Sequence, residues 1–182
     1  MGLRRGTGVL LAAALCFALL PRAGAAEVTV SAQSAVLMEA ESGRVLYAKD
    51  ADTPRLIAST TKLMTALVAL ESGHSLEEDV TIPAEAAGVE GSSLYLKTEE
   101  TVKLKTLLYG MLLHSGNDAA TAVALTCAGS LKAFAQKMNE KAQQLGMTNS
   151  HFTNPPGWTG RSTILLPTTW PCWPGHAWLC RS

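Results

Sequence analysis

Little in this chain points to nucleic acid, to a disulfide scaffold or to a membrane span. Formal net charge is zero over 182 residues, and beyond residue 26 there are 12 basic residues against 15 acidic ones. That leaves no basic excess for a nucleic-acid surface. Of four cysteines, Cys16 lies in an N-terminal apolar run, Cys127 stands alone in an apolar stretch, and Cys172 and Cys180 fall near the end. No disulfide framework or metal site is readable from that spacing, and Cys127 reads as a small buried hydrophobe. Internal repeats and low-complexity linkers are absent.

The one long apolar run, Val9 to Leu20, is too short to span a bilayer comfortably. Arg4 and Arg5 form a basic start before it, and Ala23-Gly24-Ala25-Ala26 a small-residue cleavage site after it. Residues 1–26 therefore read as a cleaved signal peptide, and the chain as exported to the cell envelope. Cys16 follows Leu15, where a lipoprotein site would want a small residue, so lipidation is not expected. The rest is long enough for one domain with a real core.

Two short apolar runs, Ala35 to Ala40 and Arg44 to Ala48, flank Glu41-Ser42-Gly43, which predicts a β-hairpin. Pro54 breaks the chain, and a helix is expected from about Ser59. Leu63, Ala66, Leu67 and Leu70 give it helical spacing and Gly73 stops it. Residues 74–104 look irregular, with short strands at Val80-Thr81-Ile82 and Ser93-Leu94-Tyr95-Leu96. A second helix is expected over Lys105 to Leu113, with Leu107, Leu108, Met111 and Leu112 on its buried face. It ends in His114-Ser115-Gly116-Asn117, and an Ala-rich helix follows from Asp118 to Ala128. Ser130 caps a fourth helix, lined by Leu131, Phe134, Ala135, Met138, Ala142 and Leu145 and closed by Gly146. The pattern is mixed α and β, with helices dominating the middle.

Ser59 and Lys62 stand three residues apart where the first helix begins. Positions i and i+3 share a helix face, so Ser59 Oγ and Lys62 Nζ can meet. An amine held neutral by burial can take the serine proton, and the serine can then attack a carbonyl. The spacing alone is weak evidence, since about 0.6 such pairs is expected by chance in a chain of this composition. A second polar group, Ser115-Gly116-Asn117, lies between two helices. Glycine permits a tight turn there, so that the serine and asparagine can point into a common cleft. Its bland reading is a cap and turn. His114 reads as structural, Glu77, Glu78, Asp79, Glu99 and Glu100 as solvated loop acids, and Lys132, Lys137 and Lys141 as an exposed helix side.

Together the two elements resemble the first two of the S-x-x-K, S-D-N and K-T-G set of penicillin-binding serine acyl-transferases. Ala35 to Asp50, Ile57 to Ala66, Leu107 to Ala120 and Met138 to Asn154-Pro155 all resemble the low-molecular-mass D-alanyl-D-alanine carboxypeptidases, where Ser-Gly-Asn is typical. The resemblance covers roughly residues 30–157. It implies an α+β, β-lactamase/transpeptidase-like fold, seen here as N-terminal strands plus the helical region, with the closing sheet strands missing. It further implies that Ser59 would attack the carbonyl between the terminal D-alanines of a peptidoglycan stem peptide, with Lys62 as general base. Ser115 would help pass a proton to the departing D-alanine, Asn117 would hold the substrate backbone, and the Ser59 backbone N–H would give half an oxyanion hole. No cofactor is implied, and β-lactams would acylate the same serine. Two other readings stay open: a β-lactamase-like penicillin hydrolase using the same pair, and a non-catalytic peptidoglycan-binding fragment.

The pattern breaks after residue 157. No Lys-Thr-Gly or Lys-Ser-Gly occurs in the 182 residues, and all four tryptophans and three of eight prolines lie beyond that point. The family would continue with Leu-Asp and later a stretch like His-Tyr-Ser-Thr-Ala-x-Asp-Met-Ala-x-Leu-Ala-Arg. A reading frame shifted by one base admits Gly-Leu-Asp at Gly157-Trp158-Thr159 and Met-Ala-Leu-Leu-Ala-Arg from Thr169 onward. Four of those residues are forced by the code. The expectation is that residues 158–182 are out-of-frame, and that 27–157 form a partial catalytic domain without substrate turnover. Membrane association would then depend on a missing C-terminal part. A genuine Trp/Pro-rich surface tail is the alternative.

Overall fold

The computed structural model describes residues 28–158 and the backbone of residues 164 and 165. The expected signal peptide, and the tail apart from Trp158 and those two residues, lie outside the described part. Residues 1–31 and 32–182 form two compact units, and every element below belongs to the second.

The expected hairpin is present. Strand β1 (Ala35–Met38) pairs antiparallel with β2 (Val45–Lys49), Ala35 opposite Lys49 and Leu37 opposite Tyr47, with a bulge between Leu37 and Met38. Gly43 turns the chain at φ +70°, while the Glu39 carboxylate accepts the backbone N–H groups of Glu41 and Ser42. A short strand β3 (Arg55–Leu56) follows, and then a 3-10 turn (Ala58–Thr60) runs into helix α1 (Thr61–Leu70). Strands β4 (Asp79–Thr81) and β5 (Thr101–Lys103) pair antiparallel ahead of helix α2 (Leu104–Leu113). Helices α3 (Asn117–Ala128) and α4 (Leu131–Gln144) complete the body, and β6 (Ile164–Leu165) pairs with β3.

Helix α1 is the axis of the core. Met64 to Ala69 are all buried, so this helix is enclosed nearly all round, as a central helix is. The expected stripe is correct at Ala66 and Leu67 but not at Leu63 and Leu70, which share the one open face. Around it pack Leu104, Leu107, Leu108 and Met111 of α2, the alanine-rich α3, and Phe134 and Met138 of α4. Leu112 faces outward instead of inward. Small residues at Ala119, Ala120, Ala122 and Ala124, all fully buried, let neighbouring helices approach α3 closely. Gly129 at φ +72° ends α3, and Ser130 Oγ then accepts the Ala133 N–H at 3.1 Å to cap α4.

Two expectations for the intervening loops change. Residues 93–96 are not a strand, because the Leu94 and Leu96 N–H groups donate to the Asp118 carboxylate rather than to a neighbouring strand. Lys141 is not on the exposed side of α4. It forms an ion pair with Glu71 at the end of α1, whereas Lys132 and Lys137 are exposed. The acids of the 77–79 run each find a side-chain partner: Glu77 meets Lys105, Glu78 meets His74 Nδ1 and Asp79 meets Lys103. Cys127 is buried as expected, and burial pushes its thiol pKa up.

Candidate active site

Ser59 lies on the 3-10 turn, not inside the helix, and Lys62 on the first turn of α1. In 3-10 geometry residues i and i+3 eclipse one another, which keeps the two side chains in register across the junction. Lys62 Nζ stands 3.3 Å from Ser59 Oγ. The same nitrogen donates to Asn117 Oδ1 at 2.8 Å and to the Pro156 carbonyl at 2.8 Å. An ammonium has three donors, and all three are used. Lys62 is only 2% exposed, and burial lowers its pKa from 10.5 to about 8.

The Asn117 amide is oriented from two sides. Its Nδ2 donates to the Glu90 carbonyl at 2.7 Å, which leaves Oδ1 to face Lys62, and its backbone N–H donates to the Ser92 carbonyl at 2.7 Å. Both ends of the amide are therefore committed inside the protein, and holding a substrate would mean exchanging one of these bonds. Ser115 adopts φ +58°, and with Lys62, Ser59, Leu63, Met111 and Leu112 it lines one cleft of about 280 Å³. Among the described residues its hydroxyl makes no hydrogen bond to Ser59 or Lys62. His114, next in the chain, is exposed.

The Pro156 carbonyl that holds Lys62 comes from far along the sequence. Asn139 on α4 grips Phe152 by both its N–H and its carbonyl, at 2.8 and 2.7 Å. Asn154 Oδ1 then accepts the Gly157 and Trp158 N–H groups, which turns Pro155-Pro156 back over α1. Thr65 Oγ1 donates to the Pro155 carbonyl at 2.8 Å, beside the Lys62–Pro156 bond. Gly157, at φ +82°, lies so close that an added Cβ would fall 2.0 Å from the Ala58 carbonyl oxygen. Ala58 itself sits at φ +47°. Left-handed backbone at non-glycine residues is costly, and here it occurs at Ala58, next to Ser59, and at Ser115.

Of the residues singled out in the sequence, the structure places Ser59, Lys62 and Ser115 on one cleft and sets Asn117 Oδ1 against Lys62. Sequence reasoning missed the Pro156 carbonyl, the Glu90 and Ser92 carbonyls, and Asp118. Backbone acceptors have no residue signature. The signals available were the glycines at 91 and 157, each at positive φ and each pressed against the site.

A serine–lysine pair at the head of a buried helix, beside small antiparallel strands, is the arrangement of the penicillin-binding and transpeptidase-like fold. The fold matches the crystal structure of the D-alanyl-D-alanine carboxypeptidase DacD from Francisella tularensis with a TM-score of 0.75 at 34% identity, over 79% of this chain and 36% of that one. The family model for D-alanyl-D-alanine carboxypeptidases matches residues 22–164, and the chain belongs to that family. It is 40% identical over 137 residues to the D-alanyl-D-alanine carboxypeptidase DacF of Bacillus subtilis, covering 73% of this chain and 35% of the relative. It is 38% identical over 157 residues to the D-alanyl-D-alanine carboxypeptidase of Streptomyces sp. K15, covering 80% of this chain and 54% of the relative. The chain thus spans between about a third and about half of these relatives' length. No helix among the described residues is long and apolar enough to cross a membrane.

Proposed function

We propose that this chain carries the nucleophile and base of a serine-type D-alanyl-D-alanine carboxypeptidase that removes the terminal D-alanine from peptidoglycan stem peptides. The observation that carries this reading is the set of acceptors around Lys62. When the amine loses a proton it keeps two N–H donors, and the Asn117 and Pro156 oxygens hold both. The lone pair is then left for the third direction, toward Ser59 Oγ. A pKa of about 8 makes the neutral amine accessible near neutral pH.

In this reaction Lys62 takes the Ser59 proton as Oγ bonds to the carbonyl carbon. Ser115, across the cleft, relays a proton to the nitrogen of the departing D-alanine. Water then hydrolyses the ester, and Ser59 regains its proton. Residues 1–26 would carry the chain out to the peptidoglycan, and β-lactams would stop at the ester stage. The backbone N–H of Ser59 serves as one oxyanion donor. The 182 residues hold no Lys-Thr-Gly strand to supply a second, and a missing donor costs roughly 10²–10³ in rate.

The test is labelling with a fluorescent penicillin, alongside D-alanine release from diacetyl-Lys-D-Ala-D-Ala. Slow labelling that Ser59→Ala abolishes, with little or no D-alanine release, is the expected result. A folded chain that takes no label, or a label that survives Ser59→Ala, overturns the proposal. Rapid loss of the adduct would move the assignment to a penicillin hydrolase, and peptidoglycan binding without any acylation to a binding module.

A further inference from the structure

We infer that Asp118 is a positioning residue for the site, acting through the 90–96 loop to hold the Asn117 amide, and through it Lys62, in register. Asp118 is 1% exposed and touches neither Ser59 nor Lys62. Its carboxylate instead gathers four donors. Ser93 Oγ donates at 2.7 Å, the Leu94 N–H at 2.9 Å, the Leu96 N–H at 3.1 Å and its own neighbour Ala119 N–H at 2.8 Å. Three of the four belong to the loop, and two carbonyls of that same loop, Glu90 and Ser92, fix Asn117.

The result is a closed circuit. Asp118 and Asn117 are adjacent at the start of α3 and grip opposite ends of one loop. The loop cannot slacken without releasing the Asn117 Nδ2. A released amide can rotate and present its NH₂ to Lys62 in place of Oδ1, which removes one of the two carbonyl acceptors on that amine. Two close packings tighten the circuit. A Cβ on Gly91 would fall 2.7 Å from Asn117 Nδ2, and one on Gly110 would fall 2.1 Å from Leu94 Cδ1. There is no slack on either side of the loop.

A carboxylate suits this role better than its amide. It can accept from every direction, whereas an Asp118→Asn side chain would turn an NH₂ group toward backbone N–H donors. The catalytic consequence rests on the acylation chemistry proposed above, but the orientation of Asn117 does not.

The experiment reads that orientation directly, by water exchange of the Asn117 side-chain amide protons in NMR spectra of the whole chain. Wild-type protection is expected to fall at least tenfold in Asp118→Asn and by a smaller factor in Ser93→Ala. Ser130→Ala, which removes the cap of α4, is expected to leave it unchanged while lowering thermal stability. The rate of penicillin labelling should fall in the same order. Unchanged Asn117 protection in a folded Asp118→Asn overturns the inference. If that variant does not fold, unchanged protection in Ser93→Ala overturns it. If the wild type takes no penicillin, the acylation reading fails alone, and the amide protons still decide the role of Asp118.

Discussion

In the helical body Leu104, Leu107, Met111 and Phe134 lose all contact with solvent, whereas Leu37, Val45 and Leu46 of the β1–β2 ribbon stay about half exposed. Both regions are rich in leucine and valine. The difference lies in what their architecture can cover. Three helices around α1 close on themselves, while a two-stranded ribbon has two faces and too little material to bury either. The site follows the same division. Ser59 stands on the 3-10 turn that leads into α1, Lys62 on α1, and Ser115 and Asn117 at the α2–α3 junction, all against the closely packed body. None stands on the ribbon.

That contrast can be tested from its strong end downward. Phe134→Ala should cost about 3–5 kcal/mol in urea unfolding, because the cavity opens in the closed body. A loss below 1 kcal/mol would mean the body is not sealed. Gly157→Ala should cost about 2 kcal/mol and slow penicillin labelling roughly a hundredfold, since the added methyl meets the Ala58 carbonyl and pushes Ser59, the proposed nucleophile, out of place. Labelling at the wild-type rate would show that the 155–157 corner does not bear on Ser59.

The pH dependence of the site gives a third measurement. Labelling should rise about tenfold per pH unit and level off above pH 8 as Lys62 loses its proton. Stability should move in the same direction. The folded-state pKa of Lys62 lies below the unfolded value of 10.5, so the cost of the buried charge is fully present below pH 8 and is relieved as pH rises toward 10.5. A flat labelling profile from pH 6 to 9 would remove Lys62 as the base. The smallest effect belongs to the ribbon. Leu46→Ala should change stability by no more than about 0.5 kcal/mol. A cost above 2 kcal/mol would show that its face is covered in solution and would break the contrast.

Local features were legible in the sequence and distant ones were not. The hairpin, the four helices and the Ser130 cap of α4 follow from spacing and from Gly43, Ser130 and Gly146. Ser59 and Lys62 were readable because their meeting depends on three residues of backbone. The outward turn of Leu63, Leu70 and Leu112 was not, since each sits at a helical spacing that another residue fills better once the helices pack. Residues 93–96 have the composition of a strand, but Asp118 takes their N–H groups, and that competition comes from 22 to 25 residues away. The Pro156 carbonyl that holds Lys62 and the Glu90 carbonyl that holds Asn117 are backbone groups, which no composition marks.

The partners of Lys62 also set a timetable for the molecule. Asn117 lies 55 residues downstream of it and Pro156 lies 94 downstream. At a ribosomal rate of roughly 5–20 residues per second, several seconds separate the synthesis of the lysine from that of its last acceptor. Until then Lys62 lacks the acceptors that hold it in the folded chain. On the chemistry proposed above, the pair would gain its reactivity only with the arrival of the proline corner, so that completion of the fold would arm the serine.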